Sequence, residues 1–147
     1  MGDTAEGTLN IEAGAAEIME VIADFEAYPE WAGMKAARIL ERGGDDRPTR
    51  VAFELEAPVV GEVRYTLAYE YDGDDGVSWT TVEAQGKVRD IKGEYLLDEL
   101  DEDETRVTYR LEVDLDVPIP SFLKKQGQKQ AVKTALEGLK RRVESPR

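Results

Sequence analysis

Apolar and polar residues alternate through most of the middle of the chain. In the cleanest run, 62–71, apolar Val63, Tyr65, Leu67 and Tyr69 are separated by charged or small residues. A period of two places one face of a β-strand against a core and the other in water. Short segments rich in Gly, Asp and Pro separate several such runs, and Pro58 with Gly61 marks one of these turns. The predicted strands cover 8–12, 34–42, 49–56, 62–71, 77–83, 87–98 and 105–116.

Helical spacing of apolar residues occurs at both ends of this run of strands. The segment 15–23 predicts a first helix, and Asp24 is a suitable N-cap for a second, short helix that Pro29 limits to one or two turns. A long final helix is predicted from a Ser121 cap to about Glu144. Its apolar stripe consists of Val132, Leu136, Leu139 and Val143.

The order of these elements predicts an α+β fold. A curved, antiparallel, seven-stranded sheet wraps around the final helix, with two short helices after the first strand. The final helix is about 36 Å long at 1.5 Å per residue and is the element expected to cover the apolar face of the sheet. Residues 1–6 are predicted to be a disordered tail, and 7–147 are predicted to form one domain.

Several segments resemble the SRPBCC superfamily, which has the START-like or Bet v 1-like helix-grip fold. Within it, the chain is similar to the polyketide cyclase/dehydrase and coenzyme Q-binding-protein branch. Asp24, Tyr28, Pro29 and Trp31 form the signature Asp-x-x-x-Tyr-Pro-x-Trp. The resemblance implies a deep cavity between sheet and final helix that holds a hydrophobic small molecule, and it leaves binding and catalysis both open. Further matching segments are 77–79, 93–97, 105–109, 118–123 and 136–144.

Composition narrows the chemistry that this fold could perform. The chain has no Cys and no His, which removes thiolate nucleophiles, Ser–His pairs and most zinc and haem sites, so we expect neither metal nor cofactor. A net charge of -13 argues against a nucleic-acid partner. No apolar run is long enough to span a membrane, and the first residues lack the pattern of a signal peptide, so the expected compartment is the cytoplasm.

The predicted inward faces of the strands carry five of the six tyrosines. An aromatic wall with hydroxyls suits a cavity for an apolar ligand that has a few oxygens, whereas the alternative is a packed core whose hydroxyls bond to one another or to backbone. Gln126 and Gln130 lie where the apolar stripe of the final helix is interrupted, and either line a polar end of the cavity or reflect fraying near Pro120. The predicted ligand-binding residues are Phe53, Tyr65, Leu67, Tyr69, Trp79, Tyr95, Tyr109, Gln126 and Gln130.

Few residues are candidates for catalysis. Arg89 shares parity with Ile91 and Tyr95, so it either points inward, where it would hold an anionic or enolate oxygen, or reaches solvent at the strand end. Tyr95 and Tyr109 are the other candidates. We therefore expect binding of a hydrophobic small molecule such as a lipid, quinone or polyketide. The alternatives are an aromatic polyketide cyclase/dehydrase acting in the same cavity and a protein-interaction module without a ligand.

Charge is unevenly distributed along the chain. Residues 124–147 contain eight basic and two acidic side chains, a net of +6, which leaves -19 for the remainder. The basic helix either balances the acidic sheet and its own dipole, or docks an acidic partner or an anionic membrane surface.

Overall fold

A computed structural model describes residues 3–57 and 61–145. Its seven strands, three α-helices and one 3₁₀ turn follow the predicted order, with the 3₁₀ turn Phe25–Ala27 leading into α2. None of the helices in these two ranges combines the length and the apolar character that crossing a membrane requires. The elements are β1 Asp3–Ile11, α1 Ala15–Ala23, α2 Tyr28–Trp31, β2 Ala36–Arg42, β3 Pro48–Ala57, β4 Gly61–Asp72, β5 Gly76–Gln85, β6 Val88–Asp101, β7 Glu104–Leu115 and α3 Ser121–Glu144.

The strands form one antiparallel sheet in the order β1-β7-β6-β5-β4-β3-β2. Strands β2 to β7 are a meander, because each pairs with the next along the chain, and β1 joins β7 at the far edge. This arrangement confirms the α+β helix-grip fold. The registers place aromatic residues opposite one another on the inner face, with Tyr69 opposite Trp79 and Tyr95 opposite Tyr109.

The first strand corrects the prediction of a tail over 1–6. β1 begins at Asp3, and its pairing with β7 runs from Asp3 opposite Val113 to Ile11 opposite Thr105. The inward positions near its start are held by the small residues Ala5 and Gly7, so the alternation was too weak to read from the sequence. Residues 1 and 2 lie outside the described residues, as do 58–60, which hold most of the turn predicted at Pro58 and Gly61.

The predicted cap at Ser121 is wrong, because α3 begins at Ser121 with Pro120 in the N-cap position. Asp24 does occupy the N-cap position of the 3₁₀ turn that leads into α2, but its side chain makes no capping hydrogen bond. The start of α1 is instead capped by a distant residue, since the Ala15 amide donates to Glu99 Oε2 at 2.8 Å. Below this cap Ile18 and Ile22 are completely buried.

Helix α3 lies on the β1 and β7 side of the sheet. Gly7 permits this close approach, because a Cβ built there would stand 2.9 Å from methyl carbons of both Val132 and Leu136. The far end of the helix is tied to β1 through Lys140 Nζ, which donates to the Asn10 carbonyl oxygen at 2.9 Å.

The β3 and β4 side of the sheet is covered by different residues. Phe25 and Tyr28, from the 3₁₀ turn and α2, pack on this side, with ring centroids 4.7 Å apart for Phe25 and Tyr69 and 6.0 Å apart for Tyr28 and Phe53. The expectation that α3 alone covers the apolar face is therefore corrected, because the 3₁₀ turn and α2 cover part of it.

Candidate ligand-binding site

A row of aromatic rings crosses the inner face of four adjacent strands. Ring centroids are 5.8 Å apart for Tyr69 and Trp79, 5.5 Å apart for Trp79 and Tyr95, and 4.6 Å apart for the stacked pair Tyr95 and Tyr109. The row follows from strand register, because these residues occupy directly opposed inward positions on β4 and β5 and on β6 and β7. Four of the predicted site residues therefore come together.

A second group of rings continues the row toward β3. Phe53 and Tyr65 lie opposite each other with centroids 5.5 Å apart, and Leu67 is buried beside them on the inner face. Phe25 and Tyr28, from the 3₁₀ turn and α2, cover this end of the row. Neither was predicted as a site residue. Both lie within the segment that includes the Asp-x-x-x-Tyr-Pro-x-Trp signature, and that signature was the signal available in the sequence.

The tyrosine hydroxyls fall into two groups. Tyr28 donates to the Ile22 carbonyl oxygen at 2.5 Å, Tyr71 donates to the Pro48 carbonyl oxygen at 2.7 Å, and Tyr65 makes a long contact of 3.9 Å with Met34 Sδ. The hydroxyls of Tyr69, Tyr95 and Tyr109, by contrast, bond to no atom of the described residues.

These three hydroxyls nevertheless touch open space. Within the described part of the chain, the side-chain polar atoms that are fully enclosed and unpartnered are Trp31 Nε1 and Thr49 Oγ1. The three hydroxyl oxygens are not among them, although Tyr69 and Tyr95 are more than nine-tenths buried as residues. Each therefore faces a space that a water-sized group can reach.

Burial keeps these hydroxyls protonated. Loss of hydration raises the pKa of Tyr69, Tyr95 and Tyr109 well above the usual value for tyrosine, and mutual repulsion with neighbouring phenolates adds to the effect for Tyr69 and Tyr95. The half-buried Tyr71 has a pKa raised to about 12 by burial, which the nearby Arg47 partly offsets. At neutral pH the three free hydroxyls are thus uncharged donors and poor bases.

The interior holds no charge to accompany them. Among the described residues, the buried polar side chains are Thr105 and Gln128. Thr105 donates to the Ala13 carbonyl oxygen at 2.8 Å, and Gln128 donates to the Leu111 carbonyl oxygen at 2.5 Å. An ionised ligand in this interior would therefore lack a counter-ion, which favours a neutral one.

The two glutamines predicted to line the cavity do not do so. Gln126 and Gln130 are exposed, and the side chain of Gln130 reaches Thr134 on the same helix at 3.4 Å. The glutamine that faces the sheet is Gln128, because it lies four residues before Val132 and so continues the apolar stripe. Helical periodicity extended backward from Val132 was the signal that identifies it.

Of the two positions left open for Arg89, the structure shows the solvent-facing one, so this candidate does not reach the interior. Its guanidinium pairs with Asp116 at 2.9 Å, and both side chains are exposed. The cause is a β-bulge, because the register between β6 and β7 shifts between Val88 and Asp90. The buried positions Val88 and Ile91 are therefore three residues apart, whereas regular alternation separates positions on one face by an even number of residues. Counting alternate residues across a bulge therefore assigns a side chain to the wrong face of the strand.

Strands β5 and β6 separate beside this site. Their backbone pairing covers Gly76 to Trp79 and stops at the pair Trp79 and Gly93. Beyond it, the Thr81 side chain spans the gap, donating to the Ile91 carbonyl oxygen at 2.7 Å and accepting from the Ile91 amide at 2.6 Å.

A trough of about 450 Å³ opens on the opposite, outer face of the sheet. Ala52 and Thr66 lie among charged residues such as Arg38, Arg64 and Glu54. Arg64 is already engaged by Glu54 and Glu62 at 3.4 and 2.9 Å. Phe53 and Tyr65 also border this open trough, beside the charged residues.

The family comparison agrees with this geometry. The family model described as "Polyketide cyclase / dehydrase and lipid transport" matches residues 3–144. The chain belongs to this family. No curated protein matches the sequence closely enough to add a more specific relative.

Solved structures of this fold include proteins with different described roles. A START superfamily protein from Mycobacterium smegmatis is 24% identical with a TM-score of 0.87, and the alignment covers 97% of this chain and 98% of that one. The Zhui aromatase/cyclase from Streptomyces sp. R1128 is 17% identical with a TM-score of 0.74, covering 99% and 98%. A STAR-related lipid transfer protein from Xanthomonas axonopodis is 24% identical with a TM-score of 0.71, covering 95% and 85%. At these identities the similarities establish the fold and leave the ligand open.

Proposed function

We propose that the chain is a single START-like domain that binds a neutral, hydrophobic small molecule between the inner face of the sheet and α3. The ligand carries one or more carbonyl-type oxygens. The observation behind this proposal is the set of three hydroxyls, on the buried Tyr69 and Tyr95 and the partly buried Tyr109, that touch open space and have no partner among the described residues. The cytoplasm stays the expected compartment.

The chemistry of these residues selects the ligand class. Aromatic faces supply apolar contact area, and a phenol with a raised pKa is a donor that requires an acceptor. A ligand oxygen placed against the stacked pair Tyr95 and Tyr109 would satisfy both donors. The absence of buried charge among the described residues favours a ketone, quinone or ester over a carboxylate.

Family membership supports the same class of ligand. The family description joins polyketide cyclases and dehydrases with lipid transport, and the structural neighbours include an aromatase/cyclase and a lipid transfer protein. All of these descriptions imply apolar molecules rather than nucleotides or sugars. The proposal keeps that class and adds the hydrogen-bonding requirement.

Aromatic polyketide cyclisation is the second candidate function. The stacked Tyr95 and Tyr109 hydroxyls would donate to a developing enolate oxygen, and orientation of a flexible chain contributes much of the rate in such reactions. A base within reach of the reacting carbon is still required. Because buried tyrosines with raised pKa values do not act as bases at neutral pH, we favour binding without turnover.

A protein-interaction module without a ligand is the third candidate. Its support is limited to the acidic surface and the outer trough beside Arg38 and Arg64. This function makes no use of the unpartnered tyrosine hydroxyls, so it ranks below the other two.

The first test is native mass spectrometry of freshly purified protein, which detects a copurified ligand. In the second, the protein is titrated with a naphthoquinone and with a poly-β-ketone. Trp fluorescence reports binding, and product formation is followed in the same samples. Tyr95→Phe and Tyr109→Phe should each weaken binding about fivefold to tenfold, the usual effect of one neutral hydrogen bond. Tyr71→Phe is the matched control, because its hydroxyl is already bonded to Pro48, and it should bind as wild type. No copurified ligand together with no binding of either probe would refute the proposal. Product formation that Tyr95→Phe or Tyr109→Phe abolishes while binding persists would establish the cyclase instead.

A further inference from the structure

The first turn of α3 presents two large apolar side chains to solvent. Phe122 is 66% exposed and Leu123 is 44% exposed, and they follow Ser121, the first residue of the helix. No residue of α3 before Gln128 is buried. Adjacent exposed Phe and Leu side chains at the tip of an element are typical of a surface that contacts something apolar.

Lysines continue from this apolar tip along one flank of the helix. Phe122, Lys125, Lys129 and Lys133 are spaced i, i+3, i+7 and i+11, so they share a side, and all four are exposed. None of the three lysines forms an ion pair with any described residue. We call these four residues together with Leu123 the basic flank.

The end of α3 is different, because two of its three cations are paired. Lys140 Nζ lies 2.7 Å from Glu144, and Arg142 lies 3.1 Å from Glu30, while Arg141 forms no ion pair with a described residue. Lysines without an ion pair are therefore found between residues 125 and 133, on the same side as the exposed Phe122. Pairing within the protein does not account for the charge of the basic flank.

We propose that the basic flank docks on an anionic membrane surface. Phe122 and Leu123 enter the headgroup region, while Lys125, Lys129 and Lys133 lie along it with their ammonium groups at the lipid phosphates. The chain outside residues 124–147 carries a net charge of -19, so α3 is the element that an anionic surface attracts, and the remainder is held away.

An anionic bilayer fits this surface better than an acidic protein does. Lysine is a flexible point charge suited to a fluid array of phosphates, and α3 has no arginine before residue 141 that would provide bidentate pairing with carboxylates. The exposed apolar pair lies at the end of the helix, where it can enter a bilayer while the lysines stay in water. Docking by this surface does not require the ligand site to be occupied.

The experiment is co-sedimentation of the full chain with phosphatidylcholine vesicles, with and without phosphatidylserine. Wild type should bind only the vesicles that contain phosphatidylserine, and added salt should weaken binding. Lys125→Gln with Lys129→Gln should weaken binding about 25-fold, at roughly fivefold for each lysine. Phe122→Ser should weaken it about tenfold or more. The control, Arg38→Gln with Leu40→Ser, changes an exposed cation and an exposed apolar residue on β2 and should bind as wild type.

Three results would overturn the proposal. The first is equal binding to both kinds of vesicle, or binding to neither kind. The second is loss of binding in the control variant with Arg38→Gln and Leu40→Ser. The third is failure of either α3 variant to weaken binding. Loss in the lysine variant alone would indicate a purely electrostatic contact of the kind an acidic protein makes. Because the α3 changes lie on exposed positions, both variants should still bind the naphthoquinone or polyketone probe, so failure of docking is distinguishable from failure of ligand binding.

Discussion

The indole ring of Trp79 lies against Gly93, the residue directly opposite it on β6. A Cβ built on Gly93 would stand 2.7 Å from Trp79 Cζ2 and closer still to the carbonyl oxygen of Arg110. Only a hydrogen atom fits there, so this glycine is required by close approach and not by backbone conformation. The space it leaves allows Trp79 to lie between the rings of Tyr69 and Tyr95.

Gly93→Ala should destabilise the protein by about 3 kcal/mol, because neither the ring nor the backbone carbonyl can move far in a packed sheet. Urea unfolding of both proteins gives the difference. Gly127→Ala is the control, since nothing lies within 4 Å of a Cβ built at that helical position, and it should stabilise by about 0.5–1 kcal/mol. A loss below about 1 kcal/mol for Gly93→Ala would contradict the close approach.

The two groups of tyrosine hydroxyls predict different effects of removing them. Tyr28→Phe should lower the free energy of unfolding by about 1–2 kcal/mol, because the buried Ile22 carbonyl loses its donor. Tyr109→Phe should change it by less than about 0.5 kcal/mol, because its hydroxyl has no partner among the described residues. Thermal unfolding of the two variants compares them, and equal losses would show that the Tyr109 hydroxyl is bonded after all.

Stability should decline in alkali. The folded protein holds the protons of Tyr69, Tyr95 and Tyr109 more tightly than the unfolded chain, in which tyrosine titrates near about pH 10. Their contribution is complete below that pH and is lost as the pH rises toward the higher folded-state pKa values.

Phenolate absorbance and near-ultraviolet circular dichroism, followed together, test this expectation. Most of the absorbance should appear only as the protein unfolds, while the half-buried Tyr71, with a pKa near 12, titrates ahead of the buried group. The Tyr71→Phe variant should lose that early portion. Full ionisation while the circular dichroism stays native would mean that the hydroxyls are open to bulk water.

Thr81 predicts a further change in stability. Thr81→Val keeps the shape of the side chain but leaves the Ile91 amide and carbonyl without their partner, and should cost about 1–3 kcal/mol. Thr80→Val changes an exposed neighbour on the outer face and should stay within about 0.5 kcal/mol of wild type. Similar losses for the two variants in urea unfolding would assign the effect to strand propensity instead.

The sequence predicted the strands and α3 well because period-two and helical spacing are local properties. The inward positions from Val63 to Tyr69 follow directly from alternation, and so does the opposition of Tyr95 and Tyr109 once the hairpin is placed. The order of the elements then predicted a sheet wrapped around the final helix, and the family resemblance identified this arrangement as the helix-grip fold.

The predictions failed where a rule based on residues adjacent in sequence was applied to a feature that depends on residues distant in sequence. A bulge beside Val88 reversed the face of Arg89, and the α1 cap came from Glu99 on another strand. Small residues at Ala5 and Gly7 concealed the start of β1, although Gly7 is what lets α3 approach. Which tyrosine hydroxyls form hydrogen bonds depends on neighbours that are distant in the sequence. The alternation of apolar and polar residues therefore could not predict which tyrosines are bonded.

The gap that the Thr81 side chain spans divides the sheet into two parts, which we call leaves. On one side β2 to β5 form one leaf, and on the other β6, β7 and β1 form a second. Among the described residues, backbone bonds join the leaves from Gly76 to Trp79, and the Leu97 amide also donates to the Asp75 carbonyl oxygen at 2.8 Å. The aromatic row crosses this gap between Trp79 on β5 and Tyr95 on β6, whose ring centroids are 5.5 Å apart. A change in the angle between the leaves would therefore move Tyr69 and Trp79 relative to Tyr95 and Tyr109, with the two hydrogen bonds of Thr81 at the point where the strands part.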